Sequence, residues 1–298
     1  MKIFTYSVVI GFDARCNAAC PYCVAHQTAH YDKHDGQIDL VRLRKGAQLA
    51  LQGGATTLLL TGKGEPTLWP DQISIVLNEI GHLFPIVELQ TNGLRLAELA
   101  DIPTGKDTTP VYPQSYLNAW KSKGLTTIAL SVVHWDNAKN QILMPKGQEY
   151  PDLAWTVGLI QSAGFTVRLC VIMLGRLGYI SGYSAITKMI DWCRDNGVDQ
   201  LTMRPVYASE GDSKAAKWSR DNQMKVIDAE MAYRYVDKLG IKLLDLPHGA
   251  TVYDVDGQNV CMSNCLTLDT DPERVRQIIY CTDGKVRYDW RYPGAILF

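Results

Sequence analysis

Short apolar segments alternate with amphipathic segments along residues 7–203 of this chain. Six apolar segments have the length and the bounding residues of buried strands, at 7–12, 56–61, 86–90, 126–131, 165–173 and 200–203. The segments between them have helical apolar spacing, at 40–51, 71–83, 115–123, 152–163 and 185–196, with Asp71 as the predicted cap of the second. A strand–helix–strand crossover within one sheet joins parallel strands and is almost always right-handed. The pattern therefore predicts an α/β protein whose sheet winds into a partial (β/α)6 TIM-like barrel.

The rest of the chain predicts an extension of mixed helix and strand. The chain has 298 residues, 46% of them hydrophobic, which is enough for one large α/β domain and an appendage. We assign residues 1–210 to the partial barrel and residues 211–298 to a C-terminal α+β extension that closes the barrel mouth and determines the substrate. Within the extension, the pattern predicts a helix at 221–239 and a strand at 241–246. An Asp-Gly pair at 283–284 lies between two β-rich runs and indicates a hairpin.

Three cysteines follow the first predicted strand at the spacing C-x3-C-x2-C. In parallel barrels the functional groups lie on loops after the C-terminal ends of strands, which is where Cys16, Cys20 and Cys23 fall. Thiolates at such spacing hold iron–sulfur clusters or zinc. Because a [4Fe–4S] cube has four irons, three thiolates leave one iron without a protein ligand and open to chemistry. With His26, the same cysteines could instead form a Cys3His zinc site.

The triad resembles the signature of the radical S-adenosylmethionine (SAM) enzymes, in which an aromatic residue, here Tyr22, precedes the last cysteine. After the second strand, Gly64, Glu65 and Pro66 resemble the G-E-P motif of that family, although Lys63 separates two glycines that usually stand together. The core is similar to that of the molybdopterin-precursor cyclase and pyruvate formate-lyase activase group. The resemblance implies a [4Fe–4S] cluster on the three cysteines, with SAM on the open iron and its reductive cleavage to a 5′-deoxyadenosyl radical.

The resemblance also implies which residues bind SAM. It places Glu65 and the residues that flank it at the SAM α-amino group, and Tyr22 against the adenine. The other implied contacts are Thr91, Asn92, Ser131 and Arg204. From the residues alone, the Thr-Asn-Gly stretch is also typical of a plain β-turn, and Arg204 is also typical of a structural ion pair. A lone histidine such as His134 is more often structural than catalytic.

Three cysteines in the extension raise the question of a second cluster. Several relatives of this family carry an auxiliary cluster near a C-terminal Asp-Gly hairpin, with a cysteine after the hairpin. Here Cys281 precedes the hairpin, and residues 288–290 stand where that cysteine would be. We therefore favour structural thiols over a second cluster on Cys261, Cys265 and Cys281. In this arrangement the C-terminal segment folds across the mouth, and the pocket walls are Tyr288, Trp290, Arg291 and Tyr292.

Charge and hydropathy narrow the choice of partners. The net charge is −1, which gives no support to general nucleic-acid or membrane-surface binding. No apolar run reaches membrane-spanning length, and the apolar start is better explained as a strand than as a signal peptide. We expect a cytoplasmic, oxygen-sensitive enzyme with flavodoxin or ferredoxin as the electron donor.

Three functional hypotheses remain at this point. The first is a radical SAM enzyme that abstracts hydrogen from a small molecule such as a nucleotide or sugar derivative, because no leader-peptide-binding extension precedes the first strand. The second is a radical SAM enzyme that modifies a peptide and carries an auxiliary cluster. The third, from another class, is a non-catalytic binding protein with a zinc-stabilised loop on an α/β scaffold.

Overall fold

The computed structural model describes residues 2–28, 37–100, 115–246, 249–263 and 273–298. The strands are β1 Lys2–Ile10, β2 Thr57–Gly62, β3 Ile86–Thr91, β4 Thr127–Val132, β5 Thr166–Met173, β6 Gln200–Pro205, β7 Ile241–Leu246, β8 Ala250–Val255, β9 Gln258–Ser263, β10 Arg274–Tyr280 and β11 Val286–Arg287. The helices are α1 Leu40–Gln52, α2 Pro70–Ile80, α3 Leu96–Leu99, α4 Tyr116–Ser122, α5 Asn137–Leu143, α6 Leu153–Ser162, α7 Tyr183–Asp195, α8 Lys214–Asn222 and α9 Val226–Leu239.

The described strands form one sheet in the order β11-β10-β1-β2-β3-β4-β5-β6-β9-β8-β7. Strands β1 to β6 pair in chain order and are all parallel. Because β11 and β7 are the two edges, the sheet is open rather than closed. The predicted α/β fold with a partial, TIM-like parallel barrel is confirmed. Its parallel connections bring the loops after all six core strands to one end of the sheet.

The two faces of this sheet differ in polarity because successive side chains of a strand point to opposite sides. One face is apolar and packs under the helices, with Tyr6 of β1 and Leu43 of α1 buried in the same core. The strand register places Ser7, Glu88 and Arg168 on the opposite face. The helix-covered face is the outside of the partial barrel, so this polar face is its inner face.

Residues after 210 extend the same sheet at both edges. Strand β9 pairs parallel with β6, and β8 and β7 continue from it in antiparallel pairing. Strand β10 pairs parallel with β1, and β11 folds back on β10. The predicted hairpin is confirmed, and Gly284 has a φ of 76°, the left-handed conformation that such turns favour. The division into domains at residues 210 and 211 stays a prediction.

Two local predictions are wrong. The helix predicted at 221–239 is α9, which begins only at Val226, because Gln223 and Lys225 have extended backbone angles; α8, which ends at Asn222, was not predicted. Asp71 does not cap α2. The N-cap is Trp69, and Pro70 begins the helix, where its fixed φ and missing N–H cause no loss. Among the described helices, none has the length and hydropathy to cross a membrane.

Candidate functional site

The three cysteines of the C-x3-C-x2-C stretch lie in the loop after β1. Cys16, Cys20 and Cys23 are free and half-buried, and the backbone N–H of Cys23 donates to the carbonyl of Cys20 at 3.1 Å. Burial raises the pKa of Cys20 to about 12, with a smaller contribution from the two neighbouring thiols and against a hydrogen bond from Tyr22. Because metals bind thiolates, loading this loop with metal must release protons.

Gln27 fastens the cysteine loop to the loop after β6. Its side-chain nitrogen donates to the carbonyls of Tyr22 and Tyr207, both at 3.2 Å, and to the hydroxyl of Ser219 at 3.1 Å. Its side-chain oxygen accepts from the N–H of Ser209 at 3.0 Å. Sequence reasoning missed Gln27, because three of its four partners, Tyr207, Ser209 and Ser219, lie at least 180 residues away along the chain.

The G-E-P loop after β2 rests directly on the cysteine loop. The N–H of Glu65 donates to the carbonyl of Arg15 at 3.0 Å. A Cβ on Gly64 would lie 1.9 Å from the same oxygen, so no residue larger than glycine fits there without movement of the backbone. Pro66 is buried and begins a short 3-10 turn. The motif glycine therefore has a packing role between the two loops.

The carboxylate of Glu65 is buried and accepts four hydrogen bonds from its own chain. Its Oε1 accepts from the N–H of Thr67 at 3.0 Å, from the Thr67 hydroxyl at 2.6 Å and from the Thr91 hydroxyl at 2.6 Å. Its Oε2 accepts from the N–H of Asn92 at 2.9 Å. Burial raises the pKa of Glu65, against the lowering effect of these donors. The carboxylate thus joins the end of β2 to the end of β3.

The Thr-Asn-Gly turn after β3 continues this network to the cysteine loop. The side-chain nitrogen of Asn92 donates to Oδ1 of Asn17 at 2.8 Å and lies 3.8 Å from the sulfur of Cys16. Gly93 has a φ of 79°, which suits the turn. The structure therefore brings Thr91 and Asn92 together with Glu65 and Cys16. Asn17 was missed by sequence reasoning, although it directly follows the first cysteine.

Tyr22 is buried on the other side of the cysteine loop. It packs with Val133, Ile172 and Val206, which lie at the ends of β4, β5 and β6. Its ring centroid is 6.0 Å from that of Trp218 in α8. Its side chain therefore connects the cysteine loop to the far half of the barrel, and its predicted place against adenine stays a prediction.

Ser131 and Arg204 lie in strands, whereas His134 lies in the loop after β4. Ser131 of β4 and Arg204 of β6 are half-buried and share the inner-face register of the sheet. His134 is buried, its ring lies 3.9 Å from that of Trp135, and its Nδ1 accepts from the N–H of Asp136 at 2.9 Å. Burial lowers the pKa of His134. These contacts give His134 a structural role, in agreement with the interpretation favoured from sequence.

The C-terminal segment, residues 288–292, lies at the carboxyl ends of the strands. The ring centroid of Trp290 is 5.3 Å from the Nζ of Lys63, directly after β2. The segment therefore lies beside the loop after β2. The prediction that it closes the mouth stays a prediction.

The three cysteines of the extension occupy different places in the sheet. Cys261 lies in β9, and Cys281 directly follows β10, on opposite sides of strands β1 to β6 in the sheet order. Cys265 lies outside the described residues. Within the described ranges, no three His, Cys, Asp or Glu side chains form a single-ion site. The preference for structural thiols stays a prediction.

The sequence model of the radical SAM superfamily matches residues 12–193, which include the cysteine loop, the G-E-P loop and the Thr-Asn-Gly turn. This chain belongs to the radical SAM superfamily. A search of curated proteins returns no match.

Solved structures of radical SAM enzymes share this fold. Streptococcus suis SuiB bound to S-adenosylmethionine has a TM-score of 0.60 and 15% identity over 98% of this chain and 61% of that chain. The protein anSMEcpe with bound AdoMet has a TM-score of 0.51 and 14% identity over 79% of this chain and 58% of that chain. This chain therefore spans about three fifths of the length of each of these two proteins.

Enzymes of the radical SAM superfamily use a [4Fe–4S] cluster and SAM, and the residues of this chain fit both. Cys16, Cys20 and Cys23 supply three thiols, which would hold such a cluster and leave one of its irons open for SAM. The side-chain nitrogen of Asn17, next to Cys16, is buried with no hydrogen-bond partner among the described residues. It is a donor that a group seated on the thiols can satisfy. The family assignment favours the enzyme over the zinc-stabilised binding protein.

Proposed function

We propose that this enzyme cleaves SAM reductively to form a 5′-deoxyadenosyl radical, which takes a hydrogen atom from a small organic substrate, a nucleotide or sugar derivative. The observation that carries the proposal is the network that joins the cysteine loop, the G-E-P loop and the Thr-Asn-Gly turn at the mouth. The bound cluster supplies the electron for this cleavage. The chain holds the reacting groups in a fixed geometry, which is how a protein lowers such a barrier.

In this proposal, the SAM-binding residues act from the ends of five strands. Carbonyl groups of the G-E-P loop receive the SAM ammonium, beside the buried carboxylate of Glu65. Asn92, Ser131 and Arg204 meet the carboxylate and ribose of SAM, and Tyr22 supports the adenine. Because Glu65 is already engaged by four donors, we assign its carboxylate chiefly to holding the loop carbonyls in place.

The polar inner face supports a polar substrate. Glu88 of β3 and Arg168 of β5 form an ion pair at 2.7 Å, and Arg168 also donates to the Thr202 hydroxyl at 3.0 Å. Nearby in the register, the Ser7 hydroxyl donates to Gln277 at 2.8 Å. An inner face with ordered donors and acceptors favours a substrate that carries several polar groups.

A peptide is the second candidate substrate. The edge strand β7 is exposed along most of its length, including Ile241, Leu243 and Leu244. An open strand edge can pair with an extended peptide through main-chain hydrogen bonds.

We place the enzyme in the reducing cytoplasm, with flavodoxin or ferredoxin as the electron donor, since free thiols and an iron–sulfur cluster need such conditions.

The test is formation of 5′-deoxyadenosine. Reconstituted protein with SAM and dithionite should produce it under anaerobic conditions, and substitution of Cys16, Cys20 or Cys23 by Ala should abolish both the product and the bound iron. Cys193→Ala, which changes a buried cysteine of the core, is the control and should retain both. Loaded, reduced protein that makes no 5′-deoxyadenosine with any candidate substrate would contradict the proposal.

A further inference from the structure

The inner face of the partial barrel keeps surface that the described side chains do not fill. Thr61, Gln90, Ser131 and Arg168, on the four neighbouring strands β2 to β5, share the inner-face register and are half-buried. The residue that precedes each of them faces the helices and is almost fully buried. In a closed TIM barrel, by contrast, layers of side chains fill the interior. This inner face therefore leaves room for a ligand.

Arg168 lies across strand β4 and is held at both sides. Its Nη1 donates to the carboxylate of Glu88 on β3 at 2.7 Å, and its Nε donates to the hydroxyl of Thr202 on β6 at 3.0 Å. The β4 residue that pairs with Arg168 is Ala129, which is fully buried. Because alanine has only a methyl group, a long side chain can pass over it from β5 to β3. The guanidinium is therefore fixed in position before any ligand arrives.

The two hydrogen bonds leave part of the guanidinium available. An arginine carries five N–H donors, and these contacts use two of them. Among the residues that the structure describes, no other group bonds to Arg168, so Nη2 keeps both of its N–H donors. Its side chain is 29% exposed, against 7% for that of Glu88. A fixed and partly accessible donor loses little entropy when it binds a ligand.

The strand register places this guanidinium close to the proposed SAM site. Ser131, which is proposed to meet SAM, pairs with Cys170, and Cys170 pairs with Thr202. The Thr202 hydroxyl that Arg168 contacts therefore belongs to the same row of inner-face residues as Ser131. Arg168 itself stands two residues before Cys170, about 7 Å farther from the mouth. A group bound by Arg168 thus lies directly below the proposed SAM site.

The ion pair selects against a charged ligand. An anion that reached Arg168 would also approach the carboxylate of Glu88, which repels it, and screening is weak where water is partly excluded. A neutral oxygen can accept from Nη2 without this repulsion. Hydrogen bonds to a charged donor are also stronger than those between two neutral groups.

We propose that Arg168 is a substrate-binding residue whose Nη2 donates to a neutral oxygen of the substrate, the carbonyl of a nucleobase or the hydroxyl of a sugar. The inference rests on the proposed function, since it names the chemical group of the substrate that enters the same site. The substrate is then oriented by an uncharged polar end, which lies inside the barrel below SAM.

The experiment is equilibrium dialysis of cluster-loaded protein with SAM bound, under anaerobic conditions. Uridine presents ring carbonyls as well as ribose hydroxyls, methyl glucoside presents hydroxyls without a carbonyl, and succinate is the anionic probe. We expect a neutral probe to bind and succinate not to bind. Binding of uridine without methyl glucoside identifies the nucleobase carbonyl as the acceptor, whereas binding of methyl glucoside identifies a sugar hydroxyl.

The variant Arg168→Lys tests the donor. It keeps a positive charge beside Glu88 but lacks the Nη2 group, so the Kd of the neutral probe should rise about tenfold, as expected for one hydrogen bond to a charged group. The Kd of SAM and the iron content should stay unchanged. Arg194→Lys, at an exposed arginine of α7, is the matched control and should bind both ligands as the unaltered protein does.

A double variant separates binding from folding. Glu88→Gln combined with Arg168→Met removes both charges, so no buried carboxylate is left unpaired. It should retain iron and SAM and bind the neutral probe weakly. The inference is overturned if no neutral probe binds at millimolar concentration, if succinate binds instead, or if Arg168→Lys binds the probe normally. It is also overturned if both Arg168 variants lose SAM as much as the probe, because the role of Arg168 is then structural.

Failure of the two proposals can be told apart. The dialysis experiments need no turnover, whereas the proposed function is tested by 5′-deoxyadenosine formation in the unaltered enzyme. Protein that makes 5′-deoxyadenosine but binds the neutral probes independently of Arg168 overturns only the assignment of Arg168.

Discussion

Individual side chains at the mouth of the barrel mainly hold the loops after β1, β2 and β3 against one another. Gly64 leaves room for the carbonyl of Arg15, and the carboxylate of Glu65 accepts hydrogen bonds from Thr67, Thr91 and Asn92. The motif residues that the resemblance to radical SAM enzymes predicts to bind SAM therefore also hold the loops of the site together. Their chemistry explains why a glycine and a carboxylate are needed at these positions.

Glu65→Gln tests this role at the residue scale. The side-chain N–H2 of glutamine would face donors that now bond to a carboxylate oxygen, and a buried polar mismatch of this kind costs about 1–3 kcal/mol. We expect a lower melting temperature and a higher Kd for SAM, measured by thermal unfolding and by titration of the loaded protein. The exposed Glu149→Gln should change neither. An unchanged melting temperature in Glu65→Gln would show that the four hydrogen bonds do not stabilise the fold.

At the scale of elements, the short turn Val24–Gln27 and the loop after β6 form one unit with the cysteine loop. The cysteine loop has no long helix or strand of its own. Its position therefore depends on side-chain hydrogen bonds to neighbouring elements, and Gln27 supplies several of them. Retention of the cluster should respond to these contacts even though they are not ligands.

Gln27→Ala should speed the loss of iron to a chelator. It removes hydrogen bonds to four partners and leaves their buried groups unsatisfied, which costs about 1–3 kcal/mol for each group that water cannot reach. The measurement is the rate of iron release from anaerobic, loaded protein. Gln148→Ala, at an exposed glutamine outside the site, should release iron at the unaltered rate. Equal rates in the two variants would contradict the proposed clamp.

For the whole molecule, the sheet order decides where the remaining cysteines lie. The extension adds β9 at one edge of the parallel core and β10 at the other, which separates Cys261 from Cys281 in the order of strands. The extension is thus part of the architecture of the sheet, and its Trp290 also lies near Lys63 at the mouth.

The iron content of the loaded protein tests the number of clusters. We expect about four irons and four sulfides per chain, the content of one cube, and about eight of each for two cubes. Cys261→Ala and Cys281→Ala should leave the iron content unchanged, whereas Cys20→Ala should remove most of it. Two cubes per chain, or loss of half the iron in either extension variant, would show that the thiols of the extension bind a cluster.

The amino-acid sequence by itself determined the order of the six core strands, the cysteine triad and the G-E-P loop, because these follow from local periodicity and spacing. It did not predict α8, and it placed the start of α9 five residues too early. Only the tertiary structure decided that Glu65 is held by donors from two loops, that Gln27 clamps the cysteine loop, and that Lys63 lies beside Trp290. These contacts join residues far apart along the chain, which become neighbours only when parallel strands bring their loops to one end of the sheet.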